Sequence, residues 1–524
     1  MTNQRSLYRW FDDAADRHPT ATALELDDRT WSYAELRELS SRLADALAKA
    51  APSRMPERVG LLASRTLHAY AGYLAVQRLG ASVVPLNPAF PCARNAAVVK
   101  AADLDLVLAQ PDCAGRELGA RILAPPFDAA AADLRFGPPA HREPGPQEVA
   151  YILFTSGSTG APKGVPIQHR SIDAYLNHVI ERYQLGVGAR LSQTFELTFD
   201  LSVFDLFAAW GSGATVVVPG PDDLLAPARF VARKRLTHWF SVPSVVSVAR
   251  RLRALAPGVM PNLRWSLFCG EPLTVAQARA WQRAAPNSVV ENLYGPTELT
   301  LSCTEFRLPP QVQDTDPHEA GATVPIGTLY PELEHLILTA DQGRADEGEL
   351  CVRGVQRFPG YLDPRDNIGR FIRQEHGRTS IVDPSHHATD ELWYRTGDRV
   401  RRTPAGLVHL GRLDHQVKIQ GYRVELGEIE AALRSLSGVE EAVALLLPDG
   451  TARSGHDGVP RLVAACTAES GSRPQPDALL AELRGRLAPY MVPLTVTVCP
   501  SFPYSPNGKI DRAALRRSLV EGQS

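Results

Sequence analysis

Tyr151-Ile-Leu-Phe-Thr-Ser-Gly-Ser-Thr-Gly-Ala-Pro-Lys-Gly164 is the stretch on which the reading of this chain turns. The apolar run Val149 to Phe154 predicts a buried strand. It breaks into Thr155, Ser156, Gly157, Ser158, Thr159 and Gly160, all small and rich in hydroxyls. Such a segment leaves many backbone N–H groups accessible and suits a polyphosphate, with Lys163 placed to neutralise charge. It is not the Gly-x4-Gly-Lys-Ser/Thr loop, because the lysine lies three residues past the last glycine and a proline intervenes. Alone, the segment reads equally as a flexible surface turn or as a phosphate cradle. The rest of the chain decides.

At 524 residues the chain is too long for one core, so at least two domains are expected. Hydrophobic content of 44% and charged content of 22% fit a globular protein, and a net charge of −2 gives no pull toward nucleic acid or an anionic membrane. Met1 to Pro19 has no apolar h-region, so no signal peptide is expected, and no apolar run reaches the ~20 residues of a membrane span. The seven cysteines form no CxxC pair and suggest neither a disulfide framework nor a zinc site. A cytoplasmic protein is expected. Only six of the 56 basic residues are lysines. Where arginine supplies nearly all positive charge, a retained lysine points to a need for a compact ammonium. Lys163, Lys418 and Lys509 all lie in glycine-flanked segments.

Ser32 and Glu35 form a capping box ahead of a helix with Leu36, Leu39, Leu43 and Leu47 as its apolar stripe. Arg58 to Ala63, Val83 to Leu86 and Leu104 to Ala109 read as strands, and Thr66 to Leu79 as a helix. This alternation predicts α/β layers with parallel strands. Residues 111–148 read as a connector with one or two short pieces. Ser171 to Tyr183 reads as a helix; Ala214 to Val218, Trp265 to Phe268 and Val289 to Leu293 read as strands. The last two end in the polar turns Cys269-Gly270-Glu271 and Tyr294 to Glu298, and ligand sites gather at the C-terminal ends of such strands. Glu347 to Val352 and Leu407 to Leu410 suggest a smaller β-region, with 364–392 as a polar loop whose His386-His387 pair is solvated. From Asp414 onward short strands and helices alternate in an α+β unit.

These residues resemble the adenylate-forming superfamily, and more closely the amino-acid adenylation domains of nonribosomal peptide synthesis. The resemblance runs from Trp31 to Arg512 through eight motifs in order: Trp31 to Leu36, Phe154 to Gly164, Phe199 to Ser202, Asn292 to Glu298, Tyr394 to Asp398, Gly411 to Gly421, Leu487 to Pro493 and Asn507 to Arg512. It implies a large N-terminal α/β region of several subdomains (1–411), a hinge (412–414, with Asp414 as pivot) and a small mobile C-terminal domain (415–524). It also implies two half-reactions. A carboxylate attacks the α-phosphate of ATP to give an acyl-adenylate and pyrophosphate. A carrier protein's phosphopantetheine thiol then takes the acyl group.

By the same resemblance, Thr155 to Gly160 and Lys163 hold the phosphates, with Gly270, Glu271 and Thr297 also at the nucleotide. Glu298 binds Mg²⁺, Tyr294 stacks on adenine, Asn292 reads its amino edge, Asp398 accepts the ribose hydroxyls, and Arg412 adds a ribose or phosphate contact. Lys509 stabilises charge during adenylation, and Lys418 serves the thiolation state. The alternative for Lys509 is a surface lysine in a turn.

Asp200 matches the aspartate that pairs with an α-ammonium in amino-acid activators; the alternative is a helix N-cap. Leu201, Phe204, Phe240, Leu267, Cys269, Leu293, Leu301 and Ser302 match the specificity pocket. They supply no charge and only a hydroxyl and a thiol, so an apolar side chain is expected. L-Proline is the first expectation; alanine, valine or isoleucine is the alternative. With 12 residues after Arg512 and no carrier motif, a free-standing enzyme with a separate carrier protein is expected. An acyl- or aryl-CoA ligase and a non-catalytic nucleotide-binding protein are the competing classes.

Overall fold

The computed structural model describes residues 4–521, apart from 52–55, 126–140, 158–161, 311–322, 340–342, 376–377, 384–387, 415, 448–459 and 504–509. Contacts divide the chain into two units. The first comprises Met1–Pro88, Val98–Phe154 and Gly164–Leu413; the second comprises Ala89–Ala97, Thr155–Lys163 and Asp414–Ser524. Two short internal segments thus group with the C-terminal part, which linear boundaries do not anticipate.

Two sheets of the α/β type organise the first unit. A nine-stranded sheet runs Thr328–Leu329, Thr304–Arg307, Val289–Tyr294, Trp265–Phe268, His238–Ser241, Arg190–Ser192, Thr215–Val217, Thr22–Leu26 and Arg29–Ser32. Its six central strands are parallel and its edges are antiparallel. A six-stranded sheet runs Arg121–Leu123, Leu106–Ala109, Arg58–Leu62, Ser82–Leu86, Val149–Thr155 and Lys163–Gln168. The parallel strands are apolar on both faces because helices cover both sides. Helix Tyr33–Ala50 starts at the expected capping box, where Glu35 N–H donates to Ser32 Oγ and Ser32 N–H to the Glu35 carboxylate.

The smaller β-region is an antiparallel sheet of Leu333–Leu338, Glu347–Gly354, Trp393–Thr403, Phe371–Glu375 and Arg378–Val382, with Gly406–Arg412 paired to Trp393–Thr403. Residues 364–392 are therefore not simply a loop. They hold the 3-10 turn Pro364–Asn367 and a hairpin of two of those strands. Only Phe371 and Ile372 of the hairpin are buried, so hydrophobic alternation is nearly absent from its sequence. His386 and His387 lie outside the described residues.

In the second unit, Val439–Leu447, Arg461–Ala468 and Val496–Cys499 form a three-stranded sheet, and Gln416–Ile419 pairs with Tyr422–Glu425. Helices Leu426–Arg434 and Pro476–Arg484 contribute Ile429, Leu433, Leu480 and Leu483 to its core. The 89–97 segment contributes Arg94, which forms a buried ion pair with Glu428. Asp414 begins the C-terminal portion and accepts from Gln416 N–H at 3.2 Å. Among the described residues no helix is long and apolar enough to cross a membrane.

Candidate active site

Strand register assembles one wall of the site in the first unit. Phe240 stands opposite Leu267, and Leu267 opposite Glu291, in neighbouring parallel strands. Side chains alternate along a strand, so Phe240, Leu267, Cys269 and Leu293 fall on one face of the sheet. All four are buried. The Phe204 ring meets Phe240 edge-on at 5.0 Å, and Phe195 meets it at 5.1 Å. Phe204 opens a π-helical turn, Phe204–Ala208, directly after the short helix Leu201–Val203. Edge-to-face packing of this kind fixes the orientation of the rings in the wall.

Asp200 is buried at the start of that helix, yet its side chain makes no capping hydrogen bond. Asp200 thus occupies the N-cap position of the alternative reading, but without a side-chain capping bond. The Tyr175 phenol lies within electrostatic reach of both Asp200 and Cys269, which ties the acidic and apolar parts of the wall together. Ser302 is expected from the motif match to supply a hydroxyl to the pocket. Its Oγ instead meets Tyr330 OH at 2.7 Å and donates to Tyr175 OH at 3.4 Å, both buried phenols. The sequence placed Tyr330 and Tyr175 nowhere near Ser302, and no local signal links them.

A second cluster lies at the C-terminal end of Val289–Tyr294. Tyr294 OH donates to Asp398 Oδ2 at 2.6 Å, and Asp398 Oδ1 accepts from His409 Nε2 at 3.0 Å and Arg412 Nη1 at 3.1 Å. Burial opposes charge on Asp398, but the hydrogen bond from His409, the Arg412 charge and Tyr294 outweigh it and hold the carboxyl well below its ordinary range. Burial, reinforced by Asp398, keeps the Tyr294 phenol protonated. Asn292 donates through Nδ2 to the carbonyls of Val324 and Pro325, at 3.2 and 2.9 Å, which uses both amide hydrogens. Arg412 is held on Asp398. His409 was missed from sequence because its role depends on pairing between Gly406–Arg412 and Trp393–Thr403.

Thr297 and Glu298 lie in the 3-10 turn Thr297–Leu299. Glu298 is fully buried, accepts from the Tyr361 phenol, and its carbonyl accepts from Phe358 N–H at 2.8 Å. Among the described residues no group of three or more His, Cys, Asp or Glu could hold a metal by itself. A lone buried carboxylate fits Mg²⁺, which takes few protein ligands and keeps phosphate and water oxygens. Gly270 adopts φ +93°, and the Glu271 carboxylate accepts from Ser244 N–H at 2.9 Å.

The glycine loop is described through Gly157. Thr155 ends Val149–Thr155; Ser156 Oγ donates to Arg423 O at 2.7 Å and accepts from Glu425 N–H at 3.0 Å, all within the second unit. Ser158, Thr159 and Gly160 lie outside the described residues. Lys163 begins Lys163–Gln168. At Gly164 a Cβ would come within 2.5 Å of the Leu362 side chain, which would have to shift to admit a larger residue. Lys418 is half-buried in Gln416–Ile419, opposite Arg423, and Lys509 lies outside the described residues.

A buried carboxylate cluster and an apolar wall at the ends of parallel strands fit an adenylate-forming enzyme. The AMP-binding enzyme family matches residues 11–362, and the chain belongs to it, among AMP-forming ligases of the nonribosomal adenylation type. Phosphinothricin tripeptide synthetase PhsC of Streptomyces viridochromogenes is 36% identical over 99% of this chain and 46% of its own length. The chain thus spans less than half of that relative. The crystal structure of IdnL7 is 36% identical with a TM-score of 0.69, covering 99% of this chain and 100% of that one. The Vibrio cholerae adenylation domain AlmE, crystallised with glycyl-adenosine-5'-phosphate, is 28% identical with a TM-score of 0.80, covering 99% and 98%.

Proposed function

We propose that the protein activates a compact apolar amino acid, with L-proline as first candidate and alanine, valine and isoleucine beside it. The product is an aminoacyl-adenylate, whose acyl group passes to the phosphopantetheine thiol of a separate carrier protein. The observation that carries this reading is Asp200, a buried carboxylate directly before the short helix Leu201–Val203 that leads into Phe204. In the amino-acid adenylation domains that the sequence resembles, a carboxylate at this position pairs with the substrate's α-ammonium, and a fixed charge pair of that kind is costly to break. Phe204 and Phe240 in edge contact favour a small side chain, and Ser302, engaged with Tyr330, adds no polar demand. The glycyl-adenylate bound by AlmE supports an aminoacyl-adenylate as the intermediate.

In adenylation a substrate carboxylate oxygen bonds to the α-phosphorus and the bond to the bridging oxygen of pyrophosphate breaks. Two anions meet, so alignment and charge neutralisation do the catalytic work. By the resemblance, Asp398 would accept ribose hydroxyls, Tyr294 and Asn292 would receive adenine, and Lys163 and Lys509 would offset phosphate and carboxylate charge. Glu298 would hold Mg²⁺, which supplies charge neutralisation at the phosphates when bound.

The test is amino-acid-dependent ATP–pyrophosphate exchange over proline, alanine, valine, isoleucine and D-alanine, followed by transfer to a holo-carrier protein. Exchange with one of these amino acids supports the reading. Exchange only with acids lacking an α-amine, and transfer to free coenzyme A, would make the protein an acyl- or aryl-CoA ligase instead.

A further inference from the structure

One short segment carries groups for both halves of the proposed site. Glu298 sits at one end, and Leu301 and Ser302 at the other. Between them Thr300 and Leu301 adopt φ of +58° and +67°, two consecutive left-handed residues without a glycine. That region disfavours a β-branched residue such as threonine, so the conformation needs outside support. The chain also folds tightly on itself: Cys303 N–H donates to Tyr294 O at 2.8 Å, and a Cβ on Gly295 would come within 2.6 Å of Ser302 Cα.

The support comes from Gln356, which is 3% exposed, in the turn after Glu347–Gly354. Its Nε2 donates to the carbonyls of Ser302 at 2.9 Å, Leu299 at 3.2 Å and Thr300 at 3.4 Å. Thr300 Oγ1 returns a 2.6 Å hydrogen bond to Gln356 O. One amide thus gathers three carbonyls of the left-handed segment, in a setting where an unmatched polar group is costly. We propose that Gln356 is a positioning residue that holds residues 299–302 with Thr300 and Leu301 left-handed, fixing Glu298 and the Leu301–Ser302 wall relative to each other. This rests on the roles proposed for Glu298, Leu301 and Ser302.

Such a residue should couple two properties that are otherwise independent, the Mg²⁺ requirement and the choice of amino acid. Gln356→Leu keeps the volume and removes the donor. Gln77 provides a control, since its buried amide donates to the carbonyls of Ala150 and Ala81 far along the sequence from the segment. Gln356→Leu is expected to lower kcat/KM for exchange about tenfold. It should also raise the Mg²⁺ concentration for half-maximal rate and shift the kcat/KM ratio between amino acids, each by about threefold or more on the same hydrogen-bond scale. Gln77→Leu is expected to lower Tm without moving either. Amide hydrogen exchange reads the segment directly: the amides of Thr300, Ser302 and Cys303 should exchange about tenfold faster in Gln356→Leu. Gln356→Glu keeps the shape, replaces the donor by acceptors, and serves if the leucine variant does not fold; the same acceleration is expected. Unchanged protection of residues 299–303 in the folded variant overturns the proposal, whatever the activity. So does a Tm loss matched by Gln77→Leu with the Mg²⁺ response and selectivity unmoved. A wild-type protein without amino-acid-dependent exchange would refute the proposed function instead, and the protection measurement would still decide on Gln356.

Discussion

Tyr294 and Asp398, 104 residues apart in sequence, share a 2.6 Å hydrogen bond that joins the end of a parallel strand to the antiparallel sheet. The phenol donates, and with His409 and Arg412 it keeps a buried carboxylate charged. A depressed carboxyl pKa stabilises the fold above the ordinary carboxylate range, and that contribution is lost as pH falls through it. The carboxylate charge is therefore in place throughout the ordinary carboxylate range and above it.

Asp398→Asn keeps the size and removes the charge. A hydrogen bond to a charged group contributes about 1.5–3 kcal/mol, so kcat/KM for ATP should fall about 10–100-fold. Tyr294→Phe removes one of the three donors and should act in the same direction with a smaller effect. Initial rates of exchange at varied ATP check both; an Asp398→Asn enzyme with wild-type ATP dependence would remove Asp398 from the nucleotide site.

Two buried histidines set an acid limit on stability. Burial lowers the pKa of His169 and of His238 to about 4 each. His238 donates from Nε2 to Tyr183 O at 2.9 Å and accepts from the Thr237 hydroxyl at Nδ1, while His169 Nδ1 accepts from Leu7 N–H. Both are neutral in the fold. Between pH 6.5 and about 4 the unfolded chain binds protons that the folded chain refuses, so stability rises with pH there and is lost on acidification. The slope should approach about 1.4 kcal/mol per pH unit for each histidine. Urea unfolding at pH 5 and pH 7 measures it, and His238→Gln should flatten the difference. A variant with the wild-type slope would show that His238 protonates in the fold.

The large features of this fold were legible in local sequence. Val149–Thr155, Trp265–Phe268 and Val439–Leu447 are apolar runs long enough to announce strands, and Ser32 and Glu35 announce a helix start from three residues apart. The hairpin Phe371–Glu375 and Arg378–Val382 was not legible, because an exposed edge hairpin needs no hydrophobic alternation. The site divides the same way. Phe240, Leu267 and Leu293 were named from motif positions, and the strand register then explains why they share a face. Tyr361 on Glu298, Tyr330 on Ser302 and Gln356 on Ser302 are contacts across 63, 28 and 54 residues. Nothing in the local pattern around a tyrosine or a glutamine specifies a partner at that distance.

The two lysines of the C-terminal portion should separate the half-reactions. Lys509→Ala is expected to lower exchange by about 10²–10³, the usual cost of losing one electrostatic contact to developing charge. Lys418→Ala should leave exchange within about threefold, less than one lost hydrogen bond, while slowing transfer to the carrier. Exchange measures the first step, and carrier loading with preformed adenylate measures the second. Loss of exchange in both variants would refute the division of labour.

Asp200 gives the sharpest test of what is activated. Asp200→Asn preserves the shape of this buried side chain and removes its charge, and a Tm measured beside the kinetics reads any structural cost separately. If the carboxylate pairs with the substrate ammonium, the variant strands a buried cation, at a cost of ~3–5 kcal/mol. The kcat/KM for the amino acid should then fall about 10²–10³-fold, with KM for ATP little changed, since Asp398 and Tyr294 are untouched. The same variant should lose its discrimination against the corresponding acid without the amine, because the charge that rejected it is gone. Phe240→Ala gives the complementary result: it opens the wall that Phe204 and Phe195 now close, so longer apolar amino acids should gain activity while the ammonium requirement stays. An Asp200→Asn enzyme that still rejects des-amino acids would place substrate selection on the apolar wall alone.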